Sequence, residues 1–216
     1  FSYDYVITKG KDWSDPRTSN GDDINGGMSK KYYEYNKMVW ANQVSYKTSI
    51  ARDHHIDALV GYEIDDQYRD YLSGYATNFA THDKNQISNG MKTESVGGND
   101  TRTRMVSYLT RLNYDYKNKY YLGGSFRTDG SSRFQRDNRW GSFWSISGAW
   151  RIIEEKFMSP TKDWLTDLKI RASYGVNGTL PSDYFGYMGL SSLTSNYNDN
   201  PGITQSQLEN KELTWE

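Results

Sequence analysis

The chain has 216 residues, 26 basic and 27 acidic, for a formal net charge of −1, and it contains no cysteine. That balance offers no basic excess for nucleic acid, and the missing thiols exclude disulfide scaffolds and thiolate zinc sites. Only 35% of residues are hydrophobic and mean hydropathy is −0.91, yet aromatics reach 15%, a combination that argues against disorder and for pleated sheet.

No run of about 18 apolar residues occurs, so no transmembrane helix is expected, nor a signal peptide. The chain opens on Phe1 and stops at Thr214-Trp215-Glu216 in what reads as mid-strand. A piece of something longer is therefore expected.

In chain order, Tyr3, Tyr5 and Ile7 open a first apolar row with period two. Met38, Trp40, Val44 and Tyr46 form a second, with Asn42 as its flaw. Ile56, Ala58, Val60, Tyr62 and Ile64 make a third. Val106, Tyr108, Leu112, Tyr114 and Tyr116 stand opposite Ser107, Arg111, Asn113 and Asp115. Tyr120, Leu122 and Phe126 face away from Ser125 and Arg127. Trp140, Trp144, Ile146, Trp150 and Ile152 share a face opposite Ser145, Ser147 and Arg151, with Phe143 as the misfit. From Leu168 to Val176 the alternation has no exception. Each row predicts a strand with one apolar face.

The links alternate in length. Tight turns are expected near 52–55 and at Lys117-Asn118. A longer link, 154–166, predicts a helical turn ending before Pro160. The polar segments 9–30, 77–101, 129–138 and 177–212 read as loops, rich in Gly, Asn, Asp and Ser. The sum is an antiparallel meander of about seven or eight strands, short turns at one end and long loops at the other.

Two architectures fit this alternation. A soluble sandwich packs its apolar faces together. A membrane barrel turns them to lipid and its polar faces to the lumen. Three features favour the barrel. Aromatics such as Trp140, Trp144, Trp150, Tyr114, Tyr116, Tyr120 and Tyr121 cluster toward strand ends, where amphipathic rings form girdles. Several strands reach the roughly ten residues that a tilted strand needs to cross hydrocarbon. The turn–loop asymmetry is that of outer-membrane barrels. Seven strands cannot close in lipid, because an open edge leaves backbone groups unsatisfied. The closing strands would then lie outside this chain.

Several short motifs carry family information together. RLNYDYKNKYY from Arg111 runs into SFRTDGSSRF, then NRWGSFWSISGAWRIIEEKFM, LKIRASYGVNG and finally ENKELTWE. This order resembles the SusC/RagA family of TonB-linked outer-membrane proteins of Bacteroidota. The likeness is strong over 105–178 and fair over 208–216; the first hundred residues match only in style. The family's Gly-Trp before Arg-Ile appears as Ala149-Trp150, and its Asn-Pro-Asp-Leu-Lys-Trp-Glu appears as the segment ending Leu213-Thr214-Trp215-Glu216.

The resemblance implies an all-β fold, with residues 1–216 forming one segment of a transmembrane barrel of about 22 strands, roughly a third of its wall. It implies a multi-pass protein of the bacterial outer membrane, with the plug domain, the TonB box and the remaining strands absent from this chain. It implies a non-enzymatic importer of glycans, oligosaccharides or peptides. Its partners would be a SusD-like surface lipoprotein, TonB through the plug, outer-membrane lipid and the ligand, with no nucleic acid and no cofactor. A glycan-binding soluble sandwich and a passive porin are the rival readings.

Candidate sites follow from the faces. Arg111, Arg127, Arg151 and Arg171 are expected to face the lumen and contact the plug. Trp13, Tyr75, Phe79, Tyr184, Phe185, Tyr187 and Tyr197 lie in or near the long polar segments, where aromatic rings stack on sugars or meet a protein lid. Ser131-Ser132 lacks the G-x-S-x-G elbow of a nucleophile. His54, His55 and His82 lack a ligand spacing for zinc. Asp65, Asp66 and Asp70 lack the spacing of a calcium loop. NYNDNPG (196–202) reads as turn chemistry.

Overall fold

A computed structural model describes residues 1–83, 85–197 and 200–216, leaving aside the side chains of Thr194, Ser195, Tyr197 and Pro201. Seven strands form one antiparallel meander in sequence order. They are β1 (Ser2–Ser14), β2 (Gly27–Ile50), β3 (His54–Phe79), β4 (Gly90–Tyr116), β5 (Tyr120–Ser131), β6 (Trp140–Arg151) and β7 (Lys169–Val176). A separate hairpin, β8 (Leu190–Tyr197) with β9 (Asn200–Gln207), completes the fold. Its tip falls in NYNDNPG, where Asn198 and Asp199 lie outside the described residues.

The chain divides into two compact units. Unit 1 holds residues 1–39 and 65–103; unit 2 holds residues 40–64 and 104–216.

Unit 1 corrects the expectation that 9–30 and 77–101 are loops. β1 and β2 pair from Ser2↔Val39 to Ser14↔Gly27, and β4 already begins at Gly90. These stretches carry polar side chains on both faces, so no apolar row announces the strand. Backbone pairing needs no such row, because the ladder satisfies N–H and C=O whatever the side chains are. Only residues 15–26 and 80–89 remain as connections. In the first, Asp15 accepts from the Arg17 backbone N–H at 2.9 Å and from its guanidinium at 2.9 and 2.6 Å. This self-closing turn holds the Asp15 carboxyl well below the usual carboxylate range, through the Arg17 hydrogen bonds. A small core of Met28, Ala76 and Phe79, flanked by Trp13 and Ile87, fixes the end of the unit.

Unit 2 carries the two-faced sheet that the alternation predicts. The register runs Leu112–Gly124–Ile146–Tyr174 across β4 to β7 on one face, and Asn113–Gly123–Ser147–Ser173 on the other. Its tight turns fall where expected. Ala51-Arg52 and Lys117-Asn118 all take positive φ, the geometry of a two-residue hairpin whose twist matches the strands it joins. The longer link holds 3₁₀ turns at Ile152–Glu154 and Lys156–Thr161. Pro160 therefore lies inside the second turn, not beyond it. Pro160 cannot donate a backbone hydrogen bond, and so short a turn leaves room for that.

Two further expectations are corrected. Asp129 and Gly130 are strand residues, paired with Ser107 and Val106 on one side and with Gly141 and Trp140 on the other. The connection proper is 132–139. The terminal Thr214-Trp215-Glu216 joins no sheet.

Candidate functional site

The apolar face of unit 2 is exposed. Ile146 and Ile170 each keep 58% of their surface accessible, and Leu122, Leu112 and Phe126 lie on the same face. Two aromatic belts bound it. Tyr116, Tyr120 and Trp150 stack in succession at 6.3 and 6.5 Å. Tyr62 meets Tyr108 at a tilt at 5.1 Å, and Tyr108 stacks on Trp140 at 6.0 Å. Tyr108 and Tyr116 are eight positions apart on β4, about 27 Å along the strand at ~3.4 Å per residue. At a tilt of about 40° this projects to roughly 20 Å, close to the apolar band of an outer-membrane barrel.

The first belt has a polar tip. Glu155 accepts from Tyr120 Oη at 2.6 Å and from Trp150 Nε1 at 3.0 Å, and it pairs with Lys119 Nζ at 2.6 Å. The Lys119 ammonium and the Tyr120 hydroxyl lower the Glu155 carboxyl to about 2.

The polar face lines an open cavity of about 760 Å³. Asn113, Asp115, Ser147 and Arg171 contribute to its lining, and the Lys169 ammonium lies 4.1 Å from the Tyr121 ring centroid. Gly123 leaves room there for the Ser147 hydroxyl, which a Cβ would meet at 2.6 Å and push aside.

The four arginines separate. Arg171 lines this cavity and Arg111 lies one row above it on the same face. Arg151 sits at the strand end, bound to Asp167 at 2.9 Å with Glu154 at 3.7 Å. Arg127 is engaged within the sheet: its Nε reaches both Asp129 oxygens at 2.7 and 2.8 Å, and its Nη2 reaches Ser107 Oγ at 3.0 Å. Asp129 and Ser107 are buried.

At the loop end of unit 2 the family motifs converge. Phe134 is fully buried against the Trp215 ring at 5.2 Å, and Phe143 meets the same indole edge-on at 5.2 Å. Phe143 breaks the polar row because, half-buried, it packs on this loop cluster. Trp215 Nε1 donates to the Arg139 carbonyl at 3.0 Å, and the Thr179 N–H donates to the Glu216 carbonyl at 2.7 Å. Arg133 donates to the Pro181 carbonyl at 2.8 Å and lies over the Tyr184 ring at 4.2 Å. Ser131 and Ser132 accept from the backbone N–H groups of Arg133 and Arg104. The serines thus shape the turn.

The aromatic candidates divide likewise. Tyr184 is Arg133's partner, while Phe185 and Tyr187 are half-buried in the segment that follows. Trp13 and Phe79 pack edge to face at 4.8 Å, and Phe79 is only 2% exposed, a core residue without a surface to offer. Tyr75 lies half-buried on β3, and the Tyr197 side chain is outside the described residues. His54 and His55 hydrogen-bond Tyr114 Oη and Ser49 Oγ at 2.6 and 2.7 Å.

A meander with one exposed apolar face between aromatic belts, one polar face and one loop-packed end is a length of β-barrel wall. No family model matches the chain. It is 33% identical over 225 aligned residues to a TonB-dependent receptor of Formosa agariphila, covering 100% of this chain and 22% of that protein. It is 32% identical over 199 residues to the TonB-dependent receptor SusC of Bacteroides thetaiotaomicron, covering 89% of this chain and 19% of SusC. The solved RagAB peptide transporter superposes with a TM-score of 0.90 at 25% identity, over 99% of this chain and 24% of that one. The chain belongs to the SusC/RagA-like TonB-dependent receptors and spans about a fifth of the length of the curated relatives it matches.

Proposed function

We propose that this chain is a wall segment of an outer-membrane, TonB-dependent importer. The apolar face of unit 2 meets lipid between the aromatic belts. The polar face, with Arg111 and Arg171, lines the lumen and contacts a plug supplied by the rest of a barrel of about 22 strands. The cargo is an oligosaccharide or a peptide, delivered with a SusD-like surface lipoprotein and released when TonB acts on the plug. The segment has no catalytic role. It supplies wall, lumen lining and loops, and Tyr184, Phe185 and Tyr187 stand nearest to cargo or lipoprotein.

The observation that carries this reading is the segregation of faces: Ile146 and Ser145 are adjacent, yet one belongs to the exposed apolar row and the other to the hydroxyl-lined row, where Ser145 Oγ lies 2.7 Å from Ser125 Oγ. The test uses the full-length receptor in native outer membranes, with a single cysteine at position 145 or 146. A membrane-restricted, apolar maleimide is expected to label position 146 and a charged aqueous maleimide position 145. Aqueous labelling of both positions at the same rate would remove the lipid-facing assignment.

A further inference from the structure

Unit 1 carries a surface that the import reading leaves unused. In the β1–β2 ladder Lys11 stands directly opposite Lys30, and Lys9, two positions along β1, shares their face. Like charges directly opposite in a ladder are destabilising. Lys11 Nζ donates to Asn85 Oδ1 at 3.0 Å, and Lys30 Nζ donates to Gln86 Oε1 at 2.8 Å. Both acceptors are neutral amides on one short connection. They aim the two ammonium groups without cancelling their charge. Among the described residues, Lys9, Lys11 and Lys30 take part in no ion pair, whereas Lys37, Lys47, Lys92 and Lys119 each have a carboxylate within reach.

These lysines border a cleft of about 540 Å³. Its floor is apolar: Leu72, Ile87 and Val96 line it, and Leu72 and Val96 remain 55% and 73% exposed. Gly74 lets the Ile87 side chain lie close to the strand, where a Cβ would come 2.9 Å from Ile87 Cδ1. Adjacent amines call for an anion between them, and an exposed apolar floor calls for an apolar neighbour to that anion. A free hydrophilic anion would satisfy the lysines and leave Leu72 and Val96 wet.

We infer that this cleft binds an anionic lipid headgroup. A phosphate sits between the Lys11 and Lys30 ammonium groups with Lys9 beside it, and the first acyl carbons lie on Leu72, Ile87 and Val96.

The full-length receptor, purified in neutral detergent, is titrated with dihexanoyl phosphatidylglycerol, its phosphatidylcholine counterpart and inorganic phosphate, and retention is read by native mass spectrometry. The phosphatidylglycerol is expected to be held at least about tenfold better than the phosphatidylcholine, and K11Q/K30Q to lose that preference, since both ammonium groups that flank the phosphate are then gone. Leu72→Ser with Val96→Ser weakens lipid retention as well. Equal retention of the two lipids, no change in K11Q/K30Q, or inorganic phosphate held as firmly as the lipid would each overturn the inference. Labelling at positions 145 and 146 tests the wall reading independently of this cleft.

Discussion

Trp215 and Phe134 pack ring to ring at 5.2 Å, although 81 positions separate them and neither lies in a strand. The contact ties the chain's last residues to the connection between β5 and β6, and the Trp215 N–H seals it on the Arg139 carbonyl. Trp215→Ala is expected to open this cluster, at about 2–4 kcal/mol for a half-buried indole and its hydrogen bond. Trp215→Phe keeps most of the packing and loses about 1 kcal/mol. Hydrogen exchange of the 132–139 and 177–189 backbone in the full-length receptor reads both values as local opening. Identical protection in Trp215→Ala and the parent would refute the clamp.

Arg127 and Asp129 are two positions apart on one strand face, with the carboxylate buried and the guanidinium partly exposed. Asp129→Asn leaves Arg127 with only the more distant Glu63 carboxylate, at 4.0 Å, and disturbs the Ser107 contact. The expected loss is about 1–2 kcal/mol, below the cost of a fully buried pair because solvent reaches Arg127. A double-mutant cycle with Arg127→Gln isolates the coupling. Strict additivity of the two changes would mean that the pair contributes nothing.

The faces of β6 give a third expectation. Ile146→Arg places a charge on the exposed apolar face, proposed to meet lipid, and is expected to cost on the order of 2–4 kcal/mol. Ser145→Arg, one residue away, adds a cation to a polar face and costs much less. Unfolding of the full-length receptor in bilayers compares the two. Equal losses would contradict the separation of faces on which the proposed function rests.

The sequence reveals this sheet wherever a strand carries an apolar row on one face. β5 to β7, the second half of β4 over 106–116 and the stretches 38–46 of β2 and 56–64 of β3 were legible for that reason, and so were the hairpin turns at Ala51-Arg52 and Lys117-Asn118. Within unit 1 only the Tyr3, Tyr5 and Ile7 row announced a strand; the pairing of residues 9–14 with 27–32 and the start of β4 leave no periodic apolar trace, because their side chains are mostly polar on both faces. DGSSRF misled locally: Asp-Gly is a turn signal, but here Asp129 is held in the strand by Arg127 and Gly130 faces Trp140. At Gly130 a Cβ would lie 2.9 Å from that indole, so the glycine serves close packing and not a turn. Phe143 looked like noise in the pattern until Trp215 supplied its partner. The roles of Arg133 and Glu155 depend on tertiary contacts, and a single chain read linearly contains no signal for them beyond their charge.

Glu155 makes the last expectation one about pH. Its carboxyl is held at about 2 by Lys119 and Tyr120, below the ordinary glutamate value near 4.3. A depressed carboxyl stabilises the fold in its ionised form. That contribution is complete above about pH 5 and is lost as pH falls through about 2, because the unfolded chain takes up the proton first. Glu155→Gln lacks the ionised form at every pH. The stability difference between parent and variant is therefore expected to be largest near pH 7 and to shrink steadily between pH ~5 and ~2. Lys119→Met, which removes the partner, should flatten the same window. Thermal unfolding midpoints of the full-length receptor across that range provide the measurement, and a difference that stays constant from neutral to acid would show that the Glu155 charge does not anchor the belt of Tyr120 and Trp150.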